Sequence, residues 1–84
     1  MNWQEYIVSD SNILLGKPCI KGTRISVEFV MQLLASGWTE IQVYENYPSL
    51  KPYHLQAIFS YMYENINDNL VFSYTIPTDE KIAG

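Results

Sequence analysis

The chain predicts a mainly α domain with short β-strands: a three-helix, helix-turn-helix bundle with an N-terminal β-hairpin and a strand-like C-terminal tail. Three observations carry this expectation. Apolar residues recur at helical spacing in three separate stretches, each with its own start or stop signals. The segment Gly16-Lys17-Pro18-Cys19-Ile20-Lys21-Gly22-Thr23-Arg24-Ile25-Ser26-Val27 has the glycine and proline punctuation of a tight turn that feeds a helix. Near the end the period falls to two, where Leu70, Phe72, Tyr74 and Ile76 alternate with Val71, Ser73 and Thr75.

Taken in order, Met1 to Val8 contains Trp3, Tyr6, Ile7 and Val8 and reads as a short strand. Ser9-Asp10-Ser11-Asn12 is a cluster of turn formers. Ile13-Leu14-Leu15 is too short for its period to decide its structure. Ile20 and Ile25 flank Lys21-Gly22-Thr23-Arg24, a loop suited to a short hairpin. Ser26 is the expected N-cap of a first helix running to about Ser36. Val27, Val30, Met31 and Leu34 form its stripe, and Gly37 stands where a left-handed residue would end it. Thr39-Glu40-Ile41-Gln42 matches a capping box, so a second helix starts at Glu40, with Ile41, Tyr44 and Tyr47 facing inward and Pro48 stopping it. Pro52 suits the first turn of a third helix. Its inner face is expected to be Leu55, Ile58, Phe59, Met62 and Ile66, its outer face Tyr53, Ala57, Ser60, Tyr61 and Glu64, and its end lies within 65–69. The division is therefore a helix-turn-helix domain over 1–69 and an extension over 70–84.

Composition narrows the function. Eighty-four residues make one domain. A domain this small buries only about 60–65% of its unfolded surface, so a homodimer or a bound partner is expected to add stability. Seven tyrosines among twelve aromatics exceed what so small a core needs, and tyrosine is enriched at interfaces. The lone Cys19 cannot form an internal disulfide, which fits a reducing, cytoplasmic setting. One histidine, His54, and one cysteine argue against a buried zinc site. No apolar run is long enough for a bilayer, and the first residues lack the pattern of a leader. No nucleophile-base set, phosphate-binding loop or paired metal ligands stand out, so the expectation is a non-enzyme without cofactor, with His54 on a helix surface.

Charge divides the chain. The formal net charge is −4, yet three of its five basic residues fall within 17–25. An acidic body is unlike a general nucleic-acid binder, whose affinity rests on phosphate neutralisation. In a helix-turn-helix the residues near the start of the last helix meet base edges. The DNA-binding candidates are therefore Lys17, Lys21, Arg24 and Lys51 as phosphate anchors, with Tyr53 and Gln56 at the bases and Ala57 against a thymine methyl. The alternative is a plain three-helix core with a polar outer face, in which Arg24 ties the turn to a helix carbonyl or an acidic side chain. Tyr53, Ala57 and Tyr61 form a second stripe, which is either a protein interface or a face covered by the N-terminal segment or the tail. Phe72, Tyr74 and Ile76 of the tail are further partner-binding candidates, by strand addition or by wrapping a groove. Asp79 and Glu80 beyond them would suit a partner with a basic cleft.

The segment from Gly16 to Val27, followed in order by Leu33-Leu34-Ala35-Ser36-Gly37-Trp38-Thr39, Glu45-Asn46-Tyr47-Pro48 and Leu50-Lys51-Pro52, resembles domain-of-unknown-function family 433 over about residues 5–66. The resemblance implies a homeodomain-like, helix-turn-helix fold preceded by short strands. It also implies the role of an antitoxin that binds and silences a PIN-like nuclease toxin and acts on the promoter DNA of the pair. The chain departs from the family pattern in several places, among them Lys51-Pro52-Tyr53-His54, where the family's third helix usually opens with Thr-Pro and acidic residues. Leu15 stands where the family often has a second glycine before the lysine, and Gln56 stands where an arginine usually precedes the alanine of the third helix.

Overall fold

The computed structural model describes residues 1–69. The order of elements is a 3-10 turn at Trp3–Glu5, strand β1 (Ile7–Val8), a second 3-10 turn at Leu14–Gly16, strand β2 (Cys19–Ile20), and helices α1 (Val27–Ala35), α2 (Glu40–Asn46) and α3 (Pro52–Asn69). The chain is mainly α with a two-stranded antiparallel sheet. The strand expected over 70–76 lies outside the described residues.

β2 is bonded on both sides. Toward the N-terminus it pairs antiparallel with β1, Ile7 opposite Ile20 and Val8 opposite Cys19. Toward the C-terminus the chain turns back, so that Cys19 bridges Ser26, the Ile20 N–H donates to the Ile25 carbonyl at 2.9 Å, and the Val27 N–H donates to the Pro18 carbonyl at 2.9 Å. The turn between them closes with the Thr23 N–H on the Ile20 carbonyl, and Gly22 at φ 81° supplies the positive φ that this position needs. Thr23 also donates its hydroxyl to the Ile20 carbonyl and accepts from the Ile25 N–H. Cys19 and Ile20 are thereby fully buried with their backbone paired, as burial of polar backbone demands. The N-terminal reading needs one correction: only Ile7 and Val8 are strand, because Trp3 to Glu5 coil into a 3-10 turn ahead of them.

The helix ends follow their capping chemistry. Ser26 accepts from the Phe29 N–H at 2.9 Å to start α1. Its C-terminus closes as a Schellman motif, with Trp38 N–H on the Leu33 carbonyl, Gly37 N–H on the Leu34 carbonyl, and Gly37 at φ 102°. Thr39 and Gln42 form the reciprocal capping box of α2. Pro48 sits in a turn closed by the Leu50 N–H on the Tyr47 carbonyl, and α3 begins at Pro52. Phe29, Trp38 and Tyr47 pack around the junction of α1 and α2, Phe29 and Tyr47 edge to face with centroids 5.5 Å apart.

The core joins both strands and all three helices: Ile7, Ile20, Val27, Val30, Val43, Leu50, Leu55, Ala57 and Ile58. Two expected inner faces are corrected here. In α2, Val43 is the buried residue, whereas Ile41 is 66% exposed and Tyr44 and Tyr47 are half-buried. In α3, Leu55 and Ile58 are buried as expected and Met62 and Ile66 half-buried, but Phe59 is 42% exposed while Ala57 is fully buried.

Replacing Val43 by Ala should cost about 2 kcal/mol, from about 0.8 kcal/mol per buried methylene plus the cavity left behind. Ile41→Ala should stay within about 0.5 kcal/mol. Urea denaturation of the two variants tests this, and equal losses would contradict the assignment. Leu14 and Leu15 adopt φ 50° and 57°, a left-handed conformation that costs a side-chain-bearing residue about 1–2 kcal/mol. Leu15 is 95% exposed and recovers nothing by burial. Leu15→Gly should therefore stabilise the domain by up to about 1 kcal/mol after the added unfolded-state entropy, raising Tm by about 4–8 °C per kcal/mol. A lower Tm would show that the Leu15 side chain has a role the exposed conformation does not reveal.

Candidate functional site

The basic residues do not act as one block. Lys17 donates to Glu28 Oε1 at 2.8 Å, the one ion pair among the described residues. The lysine holds the exposed Glu28 carboxyl below its usual value, chiefly through that hydrogen bond and then through its charge. Lys17 is thus matched by an acid of α1 before it reaches any phosphate. Lys21 and Arg24 are exposed on the β2–α1 turn, and Lys51 is exposed just ahead of α3; none of the three side chains has a hydrogen-bond or ion-pair partner among the described residues. Arg24 does not make the tie to a carbonyl or carboxylate that a purely structural role would require.

Tyr6 connects the turn to α3. Its carbonyl accepts from the Lys21 N–H at 2.8 Å, and its ring lies against Tyr53 and His54, with centroids 5.2 and 5.8 Å away. Lys21 therefore lies next in the bonding chain to the helix start that carries Lys51, Tyr53 and Gln56, while Lys17 lies apart beside α1.

His54 caps that helix start. Its Nδ1 accepts from the Lys51 N–H at 2.9 Å, while the His54 N–H donates to the Lys51 carbonyl at 2.8 Å. This is one half of a capping box, the third helical residue reaching back to the N-cap N–H, with imidazole in place of a Glu or Gln side chain. It requires Nδ1 to be unprotonated. Burial, and then the Lys51 charge, push the His54 pKa below its usual value.

The N-terminal segment covers one flank of α3. Trp3 meets Tyr61 edge to face with centroids 4.9 Å apart, and Ala57 is small enough to be sealed beneath the N-terminal residues and the core. The Trp3 indole nitrogen is buried without a hydrogen-bond partner among the described residues, and a T-shaped ring pair is the geometry in which an N–H···π contact can serve. The expected stripe of Tyr53, Ala57 and Tyr61 is thus partly covered. Ala57 is inaccessible, both to a protein and to a thymine methyl, and Tyr61 is half-buried against Trp3. Tyr53 stays on the surface, and Phe72, Tyr74 and Ile76 lie outside the described residues.

The open flank of α3 carries a different stripe, one that sequence reasoning missed. Tyr53, Gln56, Phe59, Ser60, Tyr63 and Glu64 run along it at helical spacing, with Phe59 42% and Tyr63 68% exposed. Phe59, Ser60, Tyr63, Gln56, Glu64 and Met1 line a shallow groove of about 410 Å³. Phe59 sits at the edge of the apolar pattern, where periodicity leaves its side undecided. The available signal was Ala57: a small residue on the supposed outer face marks where another segment approaches closely.

The imidazole cap predicts a pH dependence. Because the folded state lowers the His54 pKa, it binds fewer protons than the unfolded chain just below pH 6.5, so this contribution is complete above that pH and is lost as pH falls through the lowered value. The urea midpoint should decrease from about pH 7.5 to about pH 5.5, and His54→Gln, which keeps an acceptor, should flatten the decrease. An equal slope in both proteins would contradict the cap.

Among the described residues no helix is long and apolar enough to cross a membrane, and no group of three or more potential metal ligands occurs. Comparison with curated proteins and with solved structures returns no match. A family model described as "Protein of unknown function (DUF433)" matches residues 7–62, from β1 through the buried part of α3. The turn that brackets β2, helices α1 and α2, and α3 as far as Met62 thus fall inside that match, and the chain belongs to the DUF433 family.

Proposed function

We propose that the chain is a protein-binding antitoxin module that holds and silences a PIN-like nuclease, using the open stripe of α3 as its main contact. The observation that carries the protein-binding part is the character of that stripe. Where a DNA-reading helix presents basic and amide side chains, this stripe presents Tyr53, Phe59 and Tyr63 with one amide, Gln56, and one acid, Glu64, and the described helix carries no Lys or Arg. Exposed aromatics clustered on one helix face are the anchors that dominate protein interfaces. The nuclease as partner rests on the family resemblance. Phe72, Tyr74 and Ile76 would extend the contact, with Asp79 and Glu80 meeting the basic cleft of a nucleic-acid-cutting enzyme. The module would act by occlusion, without a catalytic residue or cofactor of its own, and as a homodimer in the cytoplasm.

A second reading, a promoter-binding regulator, is favoured by Lys21, Arg24 and Lys51, exposed side chains with no hydrogen-bond or ion-pair partner among the described residues. With Lys17 matched by Glu28, three phosphate contacts remain, for a log-log salt slope of about −3.

Co-expression with the adjacent reading frame, followed by pull-down and mass determination, tests the first reading. The expected result is a stoichiometric complex that the double substitution Phe59→Asp and Tyr63→Asp abolishes without loss of folding. Failure to capture a partner, together with promoter binding that weakens on Lys21→Ala and Arg24→Ala, would overturn it in favour of the second.

A further inference from the structure

We propose that one edge of the open stripe of α3 is the seam of a homodimer, on which a second copy of the chain packs its own α3 antiparallel, centred on Phe59. This names the interface of the homodimer in the preceding reading, and it holds whether or not the further partner is a nuclease. Pro52, Gln56, Phe59 and Tyr63 are exposed and Ile66 is half-buried. They follow one another at 4, 3, 4 and 3 residues, the alternation with which two helices pack knobs into holes along a single seam. Tyr53 and Ser60, one heptad apart, run along the other edge of the stripe and stay open to a further partner, which would meet both helices of the pair.

The seam is its own complement. It is symmetric about Phe59: Gln56 and Tyr63 lie 3 and 4 residues to either side, and Pro52 and Ile66 lie 7. An antiparallel second copy therefore sets Phe59 ring against Phe59 ring, the Gln56 amide of each chain at the Tyr63 ring of the other, and Pro52 level with Ile66. Every layer matches to within the rise of one residue, about 1.5 Å.

Charge selects the antiparallel arrangement. The helix has no acid in its first turn and no base in its last; Lys51 stands just ahead of it and Glu64 lies in its C-terminal half. Both charges run against the dipole of their own helix, which is positive at the N-terminus and negative at the C-terminus. Both side chains are exposed, and neither has an ion-pair partner among the described residues. With two copies paired about Phe59, Lys51 of each comes within about 4.5 Å, three residues of rise, of the level of Glu64 in the other. Each charge then also faces the dipole end of opposite sign. A parallel pair would instead set Lys51 beside Lys51 and Glu64 beside Glu64.

Sedimentation equilibrium on the full chain, with no other protein present, tests this. The expected result is a monomer–dimer equilibrium in the micromolar range, since a single helix seam is at the small end of protein interfaces. Phe59→Asp should leave a monomer with unchanged helical circular dichroism. Lys51→Glu and Glu64→Lys, both at exposed positions, should each weaken the dimer roughly three- to tenfold at low salt, because the two-fold axis repeats the charge pair. Combined in one chain they should restore it to within about twofold of the natural sequence. The two positions are about 20 Å apart along one helix, so only a contact between copies can compensate in this way. A chain that stays monomeric at millimolar concentration, a dimer that survives Phe59→Asp, or a double exchange weaker than either single one would each overturn the proposal. Because no nuclease enters this assay, its failure leaves the capture experiment of the preceding reading untouched.

Discussion

The structure depends on a two-residue strand bonded on both edges. Cys19 and Ile20 have no solvent to satisfy their backbone, so they must be flanked on one side by β1 and on the other by the chain returning at Ile25 to Val27. The returning side runs directly into the Ser26 cap of α1. The other side carries Tyr6 and Trp3 into position against α3. A basic turn of four residues thereby sets the relation between the N-terminal segment, the first helix and the last one. Thr23 and Gly22 are the residues that make so tight a turn available, one by clasping it and the other by its positive φ.

That arrangement decides which side of α3 faces outward. Once Trp3 and Tyr6 lie against Tyr61, Tyr53 and His54, the helix can bury only the arc through Leu55, Ile58 and Ala57, and Phe59 and Tyr63 are left in the open. The functional reading follows from this rotation. A stripe with three exposed aromatics and an acid suits a protein surface better than a phosphate backbone, and Lys21 and Lys51, whose side chains have no partner among the described residues, lie on either side of Tyr6 at the start of the helix. The matching of Lys17 by Glu28 removes a quarter of the positive charge that Lys17, Lys21, Arg24 and Lys51 would otherwise offer to DNA.

Much of this was legible in the sequence because local chemistry fixed it. Ser26, Gly37, the Thr39–Gln42 box, Pro48 and Pro52 mark helix boundaries through hydrogen bonds and dihedral limits within a few residues, and the structure uses each of them as read. Faces were harder. Ile41 and Phe59 are apolar residues at the margins of their stripes, and only tertiary packing, which buries Val43 in α2 and sets the Trp3–Tyr6 segment against α3, decides which margin is buried. Leu15 illustrates a different limit: a left-handed conformation at a leucine contradicts its own propensity and is imposed by the turn that follows Ile13. His54, expected on the helix surface, is half-buried against the rings of Tyr6 and Tyr53, and its cap on Lys51 replaces the usual Glu or Gln with imidazole and so escaped the pattern.

The covering of one flank of α3 by the N-terminal segment is the claim on which both the site and its proposed use rest. Through-space proton NMR contacts in the full chain measure it directly. The account predicts strong contacts from the Trp3 ring to Tyr61 and from the Tyr6 ring to Tyr53 and His54, with none from Trp3 to Phe59 or Tyr63. Trp3 contacts to Phe59 and Tyr63, with Tyr61 free of them, would mean that the open stripe has been assigned to the wrong side of the helix.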